Sequence, residues 1–335
     1  MIDRYSRQTL FPSIGEEGQR RLGNSYAVII GSGALGTVIA SSLVRAGVGK
    51  VRIIDRDFIE YHNLQRQVLF DEDDIRNNLP KAIAAERHLK RVNSSVDIEG
   101  IVTDLNSTNV ERLVTGADVI LDGLDNFETR FLINDVSLKH NIPWVYGGAI
   151  SSFGMTMTII PHETPCFRCF SLNSARAMPQ TCDTAGVISP APFIIGSLQT
   201  VEAIKILVGA EEINRDLIII DVWKGTFDRL RIKSYQGCPA CQGNYEFLQG
   251  KFEMKATSLC GQNAMQVLNP KVERLSFEAL APRLEAVGEV SYNEFMLNFA
   301  VDSQEMVVFP DGRAIVKNTT DESLARGLYA KYIGA

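Results

Sequence analysis

The chain has 335 residues and a formal net charge of −6, with 45% hydrophobic and 22% charged residues. It is long enough for one large α/β domain and a smaller one, and its balance is that of a soluble globular protein. The acidic balance excludes nucleic-acid binding driven by phosphate contacts. Residues 1–8 are polar and charged, unlike a secretory leader, so the reading is a cytoplasmic chain.

In chain order, Arg4 and Arg7 come first, with nothing local to explain two such close arginines, and residues 15–22 read as a helix. Residues 27–30 are a short apolar run, sized for a buried strand. Gly31-Ser32-Gly33-Ala34-Leu35-Gly36 follows, then apolar Leu35, Val38, Ile39, Leu43 and Ala46 at helical spacing, ended by Gly47. Residues 51–54 read as the next strand, closing on Asp55. This is a βαβ unit with a G-x-G-x-x-G turn and an acid at the end of its second strand. Backbone amides at Gly31, Gly33, Ala34 and Gly36 suit a phosphate, and Asp55 suits a ribose.

Asn63-Leu64-Gln65-Arg66-Gln67 and Pro80-Lys81 then bring amides and cations close behind the acid. A dinucleotide needs no such charge, because the helix end already meets its two phosphates, whereas a triphosphate does. Taken singly, Arg66 and Lys81 read as solvated surface charges.

Lys81 opens a helix to residue 91, residues 98–102 form a third strand, and a helix near 109–114 leads to a fourth strand at 119–121. That strand ends in Asp122-Gly123-Leu124-Asp125-Asn126, where a doubly wound sheet binds ligands. Asp125 is a candidate magnesium ligand, or else caps the helix over 127–140, a task Asn126 can also perform. Strands follow at 144–148 and 155–160, and residues 217–221 and 227–232 make a hairpin about Lys224-Gly225. The apolar stretch 193–208 carries Gln199, Glu202 and Lys205, so it reads as a core helix and not a membrane span.

Six cysteines in a cytoplasmic chain do not suggest a disulfide framework. Cys166-x-x-Cys169 and Cys238-x-x-Cys241 have the spacing of a closed, structural four-thiolate zinc site, in preference to redox pairs. Cys182 lies in an irregular loop over 171–192, of a length that is functional or mobile. Residues 1–244 form the main domain. Residues 245–335 form a small α+β unit, with helices over 275–287 and 322–332 and strands at 298–301, 306–309 and 314–316 about a turn at 310–312. That unit offers no nameable chemistry, and Cys260 reads as a packing residue.

With Arg4-Tyr5-Ser6-Arg7-Gln8, the glycine turn, Asn63 to Gln67, Pro80-Lys81, Leu124-Asp125-Asn126, both cysteine knuckles and Thr181 to Gly186 all in order, the chain resembles the ThiF/MoeB adenylyltransferases, relatives of ubiquitin-activating enzymes. The match covers residues 1 to about 244; the remainder is similar to an extension of bacterial members. The resemblance implies a Rossmann-like, doubly wound, mostly parallel sheet. It also implies adenylation of the C-terminal glycine of a small β-grasp sulfur-carrier protein by Mg-ATP, in a homodimer with a structural zinc, and a sulfur-donating enzyme as a further partner. The roles it carries are ribose contact for Asp55 and Asn63, phosphate contact for Arg66 and Lys81, magnesium for Asp125, and contact of Arg7 with the partner's ATP. Cys182 takes a covalent link to the activated carrier in some members. Two positions depart from the family: Ala34 replaces a common glycine, and His62 stands where a serine is usual.

Two other classes stay open on the residues alone: an NAD-dependent oxidoreductase on the same turn, and a zinc-stabilised module that only docks a partner. Between thiazole (thiamin) and molybdopterin carriers the sequence leans slightly to thiazole.

Overall fold

The computed structural model describes residues 4–171, 185–252, 256–259, 264–267, 275–301 and 303–334. They divide into two compact units, one ending at Phe252 and the other beginning at Glu253.

The first unit is built on strands β1 (Tyr26–Ile30), β2 (Lys50–Ile54), β3 (Asp97–Ile101), β4 (Val119–Asp122), β5 (Trp144–Ile150), β6 (Phe153–Ile159), β7 (Leu217–Asp221) and β8 (Thr226–Leu230). They form one sheet in the order β3-β2-β1-β4-β5-β6-β7-β8. Pairs from β3 to β5 are parallel, and those from β5 to β8 antiparallel. The helices are α1 (Ser6–Thr9), α2 (Gly15–Asn24), α3 (Ala34–Ala46), α4 (Glu72–Arg76), α5 (Lys81–Val92), α6 (Val110–Val114), α7 (Phe127–His140), α8 (Phe167–Ser171) and α9 (Pro190–Val208). Helices α3, α5 and α9 pack on one face of the sheet, and α6 and α7 on the other. A strand covered on both faces must be largely apolar, as β1 is, and as β4 is up to its last residue, Asp122.

In α3 the periodic residues Leu35, Ile39 and Leu43 are all buried. Gly47 ends the helix in the left-handed conformation (φ +82°), its amide returning to the carbonyls of Leu43 and Val44. Helix α9 is the one helix among the described residues long and apolar enough to cross a membrane, and it packs against α3, β5 and β6. It begins at Pro190, inside the stretch expected to be loop, with proline in its first turn where no backbone donor is needed.

The first unit extends past residue 244, where the sequence suggested a boundary. Phe247 stacks on Phe131 with ring centroids 4.7 Å apart, and Phe252 packs on Phe247 at 4.8 Å. The amides of Phe247 and Leu248 donate to Asp135 on α7 at 2.9 and 3.3 Å. Buried aromatic area and two hydrogen bonds hold this segment to the first core.

The second unit contains β9 (Ala256–Leu259), β10 (Ala264–Val267), α10 (Phe277–Glu285), β11 (Glu289–Tyr292), β12 (Leu297–Val301), β13 (Gln304–Val308), β14 (Ala314–Lys317) and α11 (Glu322–Tyr332). Its sheet runs β11-β12-β13-β14-β10-β9, antiparallel throughout. Leu280 and Leu284 of α10 and Tyr329 of α11 share a core with Phe299, Met306 and Val308. Ser276 caps α10 and Asp321 caps α11.

Candidate nucleotide crevice and cysteine cluster

Strand order reverses between β1 and β4, so the turns leaving them open a crevice at the carboxyl end of the sheet. The two turns touch backbone to backbone. A Cβ on Gly31 (φ +92°) would fall 2.6 Å from the Gly123 carbonyl oxygen, and one on Gly123 would fall 2.2 Å from that of Gly31. Gly33 precedes α3 in extended conformation with no side chain to cap it, and Ala34 is the first helical residue. The first amides of α3 therefore face the crevice as an anion site. Beside them Ser32 is fully buried; its amide donates to Asp55 Oδ2 at 2.6 Å, and its hydroxyl has no partner among the described residues.

Asp55 stands at the end of β2, its Oδ1 accepting from the Asp57 amide at 2.7 Å. Burial pushes its carboxyl above the ordinary carboxylate range. Lys81, the first residue of α5, is buried with Nζ 3.3 Å from Asp57 Oδ2. Burial works against its charge, but Asp57, Asp55 and Asp125 outweigh that and hold the amine above the ordinary lysine range. Asn63 is buried and its Oδ1 accepts from the Glu60 amide at 3.0 Å. Arg66 is half-buried, with Nη1 donating to the His62 carbonyl at 2.8 Å. Gln67, 3% exposed, places its amide nitrogen 4.0 Å from where a Gly33 Cβ would be, and its Oε1 has no partner among the described residues. Asp125 is exposed. Asn126, and not Asp125, caps α7 by accepting from the Thr129 amide at 2.9 Å.

The crevice thus brings together the glycine turn, Asp55, Lys81 and Asp125, with Gln67, at the end of the Asn63–Arg66 turn, at its edge. An uncapped helix start, buried hydroxyl and amide oxygens lacking partners, and cations beside an exposed carboxylate suit a nucleoside triphosphate and its magnesium.

Arg7 is elsewhere. It is exposed on α1, which docks at the far end of α3. Gln8 Nε2 donates to the Ala46 carbonyl at 2.9 Å, the Tyr5 ring covers Gly47, and Asn93 donates to the Tyr5 hydroxyl at 2.9 Å. Arg4 donates to the Val92 carbonyl at 2.8 Å. From Arg4 onward the chain's own helices hold this end.

Cys166, Cys169, Cys238 and Cys241 converge. Their sulfurs lie 3.7 Å (166–169), 3.6 Å (166–238), 3.6 Å (169–241) and 3.4 Å (166–241) apart. A tetrahedral zinc with bonds of about 2.3 Å spaces its sulfurs at about 3.8 Å, whereas a disulfide draws two sulfurs to about 2.05 Å. The four thiols fit a metal tetrahedron, and Leu138 of α7 and Tyr245 pack against them. Cys182 and Cys260 lie outside the described residues.

Sequence reasoning missed Ser32, Gln67 and a buried pair under Asp125, formed by Asp122 and Arg130 at 2.9 Å. A signal for Arg130 existed. Arg130, Asn134 and Ser137 recur at helical spacing and are buried in α7 beside apolar Leu132, Ile133 and Val136, so a polar stripe enters the core there.

The sequence pattern of the ThiF family matches residues 5–240. Sulfur carrier protein ThiS adenylyltransferase of Bacillus subtilis is 44% identical over 338 residues, covering 100% of both chains. Sulfur carrier protein adenylyltransferase of Thermus thermophilus is 35% identical, over 72% of this chain and 90% of its own. A crystal structure of E. coli MccB with succinimide is similar in fold, with a TM-score of 0.63 at 25% identity, over 72% of this chain and 75% of that one. The chain belongs to the ThiF family and is an adenylyltransferase, an enzyme of the nucleotidyltransferase class.

Proposed function

We propose that this chain adenylates the C-terminal glycine carboxylate of a small β-grasp sulfur-carrier protein, in the thiazole branch of thiamin biosynthesis, as a cytoplasmic homodimer. The observation that carries the reading is the convergence of buried Lys81 and exposed Asp125 on the uncapped start of α3, with Asp55 hydrogen-bonded to that turn. The whole-length relative at 44% identity favours the thiazole carrier.

A carboxylate oxygen of the carrier attacks the α-phosphorus of ATP. The bond from that phosphorus to the bridging oxygen breaks, and its electron pair leaves with pyrophosphate. The protein's work is alignment and charge compensation, because no covalent help is needed. The α3 amides and Gly31, Gly33, Ala34 and Gly36 bind phosphate, and Asp55 and Asn63 bind the ribose. Lys81 and Arg66 offset the charge growing on pyrophosphate. Asp125 would hold the magnesium that arrives with the nucleotide and draws charge from the leaving group.

Arg7 is assigned to the neighbouring protomer's nucleotide. Its anchor at Ala46 lies the length of α3, about 20 Å, from its own glycine turn. No arginine side chain spans that gap. Cys182 is assigned the next step: its thiolate displaces AMP from the acyl-adenylate to give a thioester, and sulfide supplied by a sulfur-donating enzyme attacks that acyl carbon, breaking its bond to the Cys182 sulfur so that the thiolate leaves and the carrier thiocarboxylate remains. Cys166, Cys169, Cys238 and Cys241 hold one structural zinc.

The test is ATP–pyrophosphate exchange with purified carriers. Exchange that depends on the thiazole carrier is expected. Exchange only with the molybdopterin carrier would reassign the pathway, and none with either would overturn the reaction.

A further inference from the structure

A buried ion pair lies directly behind Asp125. Arg130, one turn into α7, is 5% exposed, and Asp122, the last residue of β4, is fully buried. Arg130 Nε donates to Asp122 Oδ2 at 2.9 Å, while Nη2 donates to the carbonyls of Leu124 at 2.5 Å and Gly147 at 2.8 Å. The other Asp122 oxygen accepts from the Leu124 amide at 2.9 Å. From α9, Gln199 donates to the carbonyls of Asp122 at 2.9 Å and Val145 at 3.1 Å, tying β4 to β5. The rings of Tyr146 and Phe127 flank the guanidinium at 5.2 and 5.8 Å.

Both backbone groups of Leu124 are thus bonded to one ion pair, and the next residue is Asp125. On the other side, Asn126 is fixed by its bond to the Thr129 amide. Asp125 is an exposed carboxylate between two anchored neighbours. A buried ion pair adds little stability over apolar residues of the same size. What a planar guanidinium fork adds is direction, since it holds several acceptors in one plane.

We infer that Arg130 is a positioning residue: its fork onto Asp122, Leu124 and Gly147 sets the direction in which Asp125 offers its carboxylate to the metal of the nucleotide. This rests on the magnesium role proposed for Asp125. Metal ligands are held in orientation by the groups behind them, and losing such a group costs about 10- to 100-fold in metal affinity.

Arg130→Lys tests it in the full-length protein. Lysine keeps the charge opposite Asp122 but cannot hold three acceptors in a plane. Zinc content and melting temperature should stay close to wild type. The magnesium concentration for half-maximal ATP–pyrophosphate exchange should rise about tenfold, the lower end for a lost supporting group, with kcat at saturating magnesium little changed. On an Asp125→Asn background, Arg130→Lys should add nothing. Should Arg130→Lys not fold, Arg130→Gln with Asp122→Asn, an uncharged pair, is read in the same way. An unchanged magnesium requirement, or an equal loss on both backgrounds, overturns the inference. A wild-type magnesium requirement in Asp125→Asn alone overturns the role of Asp125, and this inference with it, and is distinguishable from the first outcome.

Discussion

Lys81 Nζ stands 3.3 Å from Asp57 Oδ2, so the cation at the crevice already has a carboxylate beside it. A triphosphate must draw the amine from Asp57. Lys81→Ala, Arg66→Ala and Asp125→Ala are each expected to slow carrier-dependent exchange by about 10²-fold, the scale of a lost charge contact in a transition state. Near-normal exchange in any one of them removes that residue from the reaction.

The same carboxylates hold the Lys81 amine above the ordinary lysine range, so it stays protonated well past neutrality. Exchange at saturating substrate should show no loss attributable to a lysine between about pH 7 and 9. A basic limb in that range, absent from Lys81→Arg, would contradict the electrostatics described here.

Cys166 and Cys238 are buried and their sulfurs are 3.6 Å apart across 72 positions of chain. Elemental analysis should find one zinc per chain, lost in Cys238→Ser. Metal loss should lower the melting temperature first, because binding energy at such a site is folding energy. A zinc-free protein with an unchanged melting curve refutes the assignment.

Arg7→Ala and Lys81→Ala should each be inactive alone and partly active when mixed. In a heterodimer, action across the interface leaves one site with both defects and one with neither. If Arg7 served its own chain, every site would keep one defect and the mixture would stay dead.

Asp135 is fully buried and bonded to the amides of Phe247 and Leu248, and burial raises its carboxyl to about 6. The folded chain therefore holds this proton more tightly than the unfolded chain, whose aspartates titrate near 3.9. The contribution to stability is full below about pH 4 and is lost as pH rises through about 6, at a cost on the order of 3 kcal/mol. Asp135→Asn keeps an acceptor for both amides and should raise the melting temperature more at pH 8 than at pH 5. An equal change at both pH values would show that burial does not govern this group.

Local features were legible in the sequence and tertiary meetings were not. Helices α7 and α11 are bounded to the residue by the sequence reading, because Asn126 and the acidic start at Glu322 are local signals. The βαβ unit was equally plain, since glycine spacing and apolar period lie within one segment. Strands β9, β10 and β11 have no counterpart in the sequence reading: each has four residues, and β11 is too exposed to alternate. The sequence reading gives Arg130 no role, and only its meeting with Asp122 gives it meaning. The position of Arg7 needed the docking of α1, made by Tyr5 and Gln8 against residues about forty positions away.

The contact between the turns after β1 and β4 has a consequence for variation. The collision is between main-chain atoms, so no change elsewhere could make room for a side chain at Gly31 or Gly123. A Cβ at Gly33 would come no nearer than 3.7 Å to the Gly123 carbonyl oxygen, an ordinary contact. In a library selected only for folding, Gly31 and Gly123 should refuse every substitution without suppressors, while Gly33 accepts alanine. If Gly33 then becomes invariant under selection for activity, the restriction is set by the nucleotide and not by the fold.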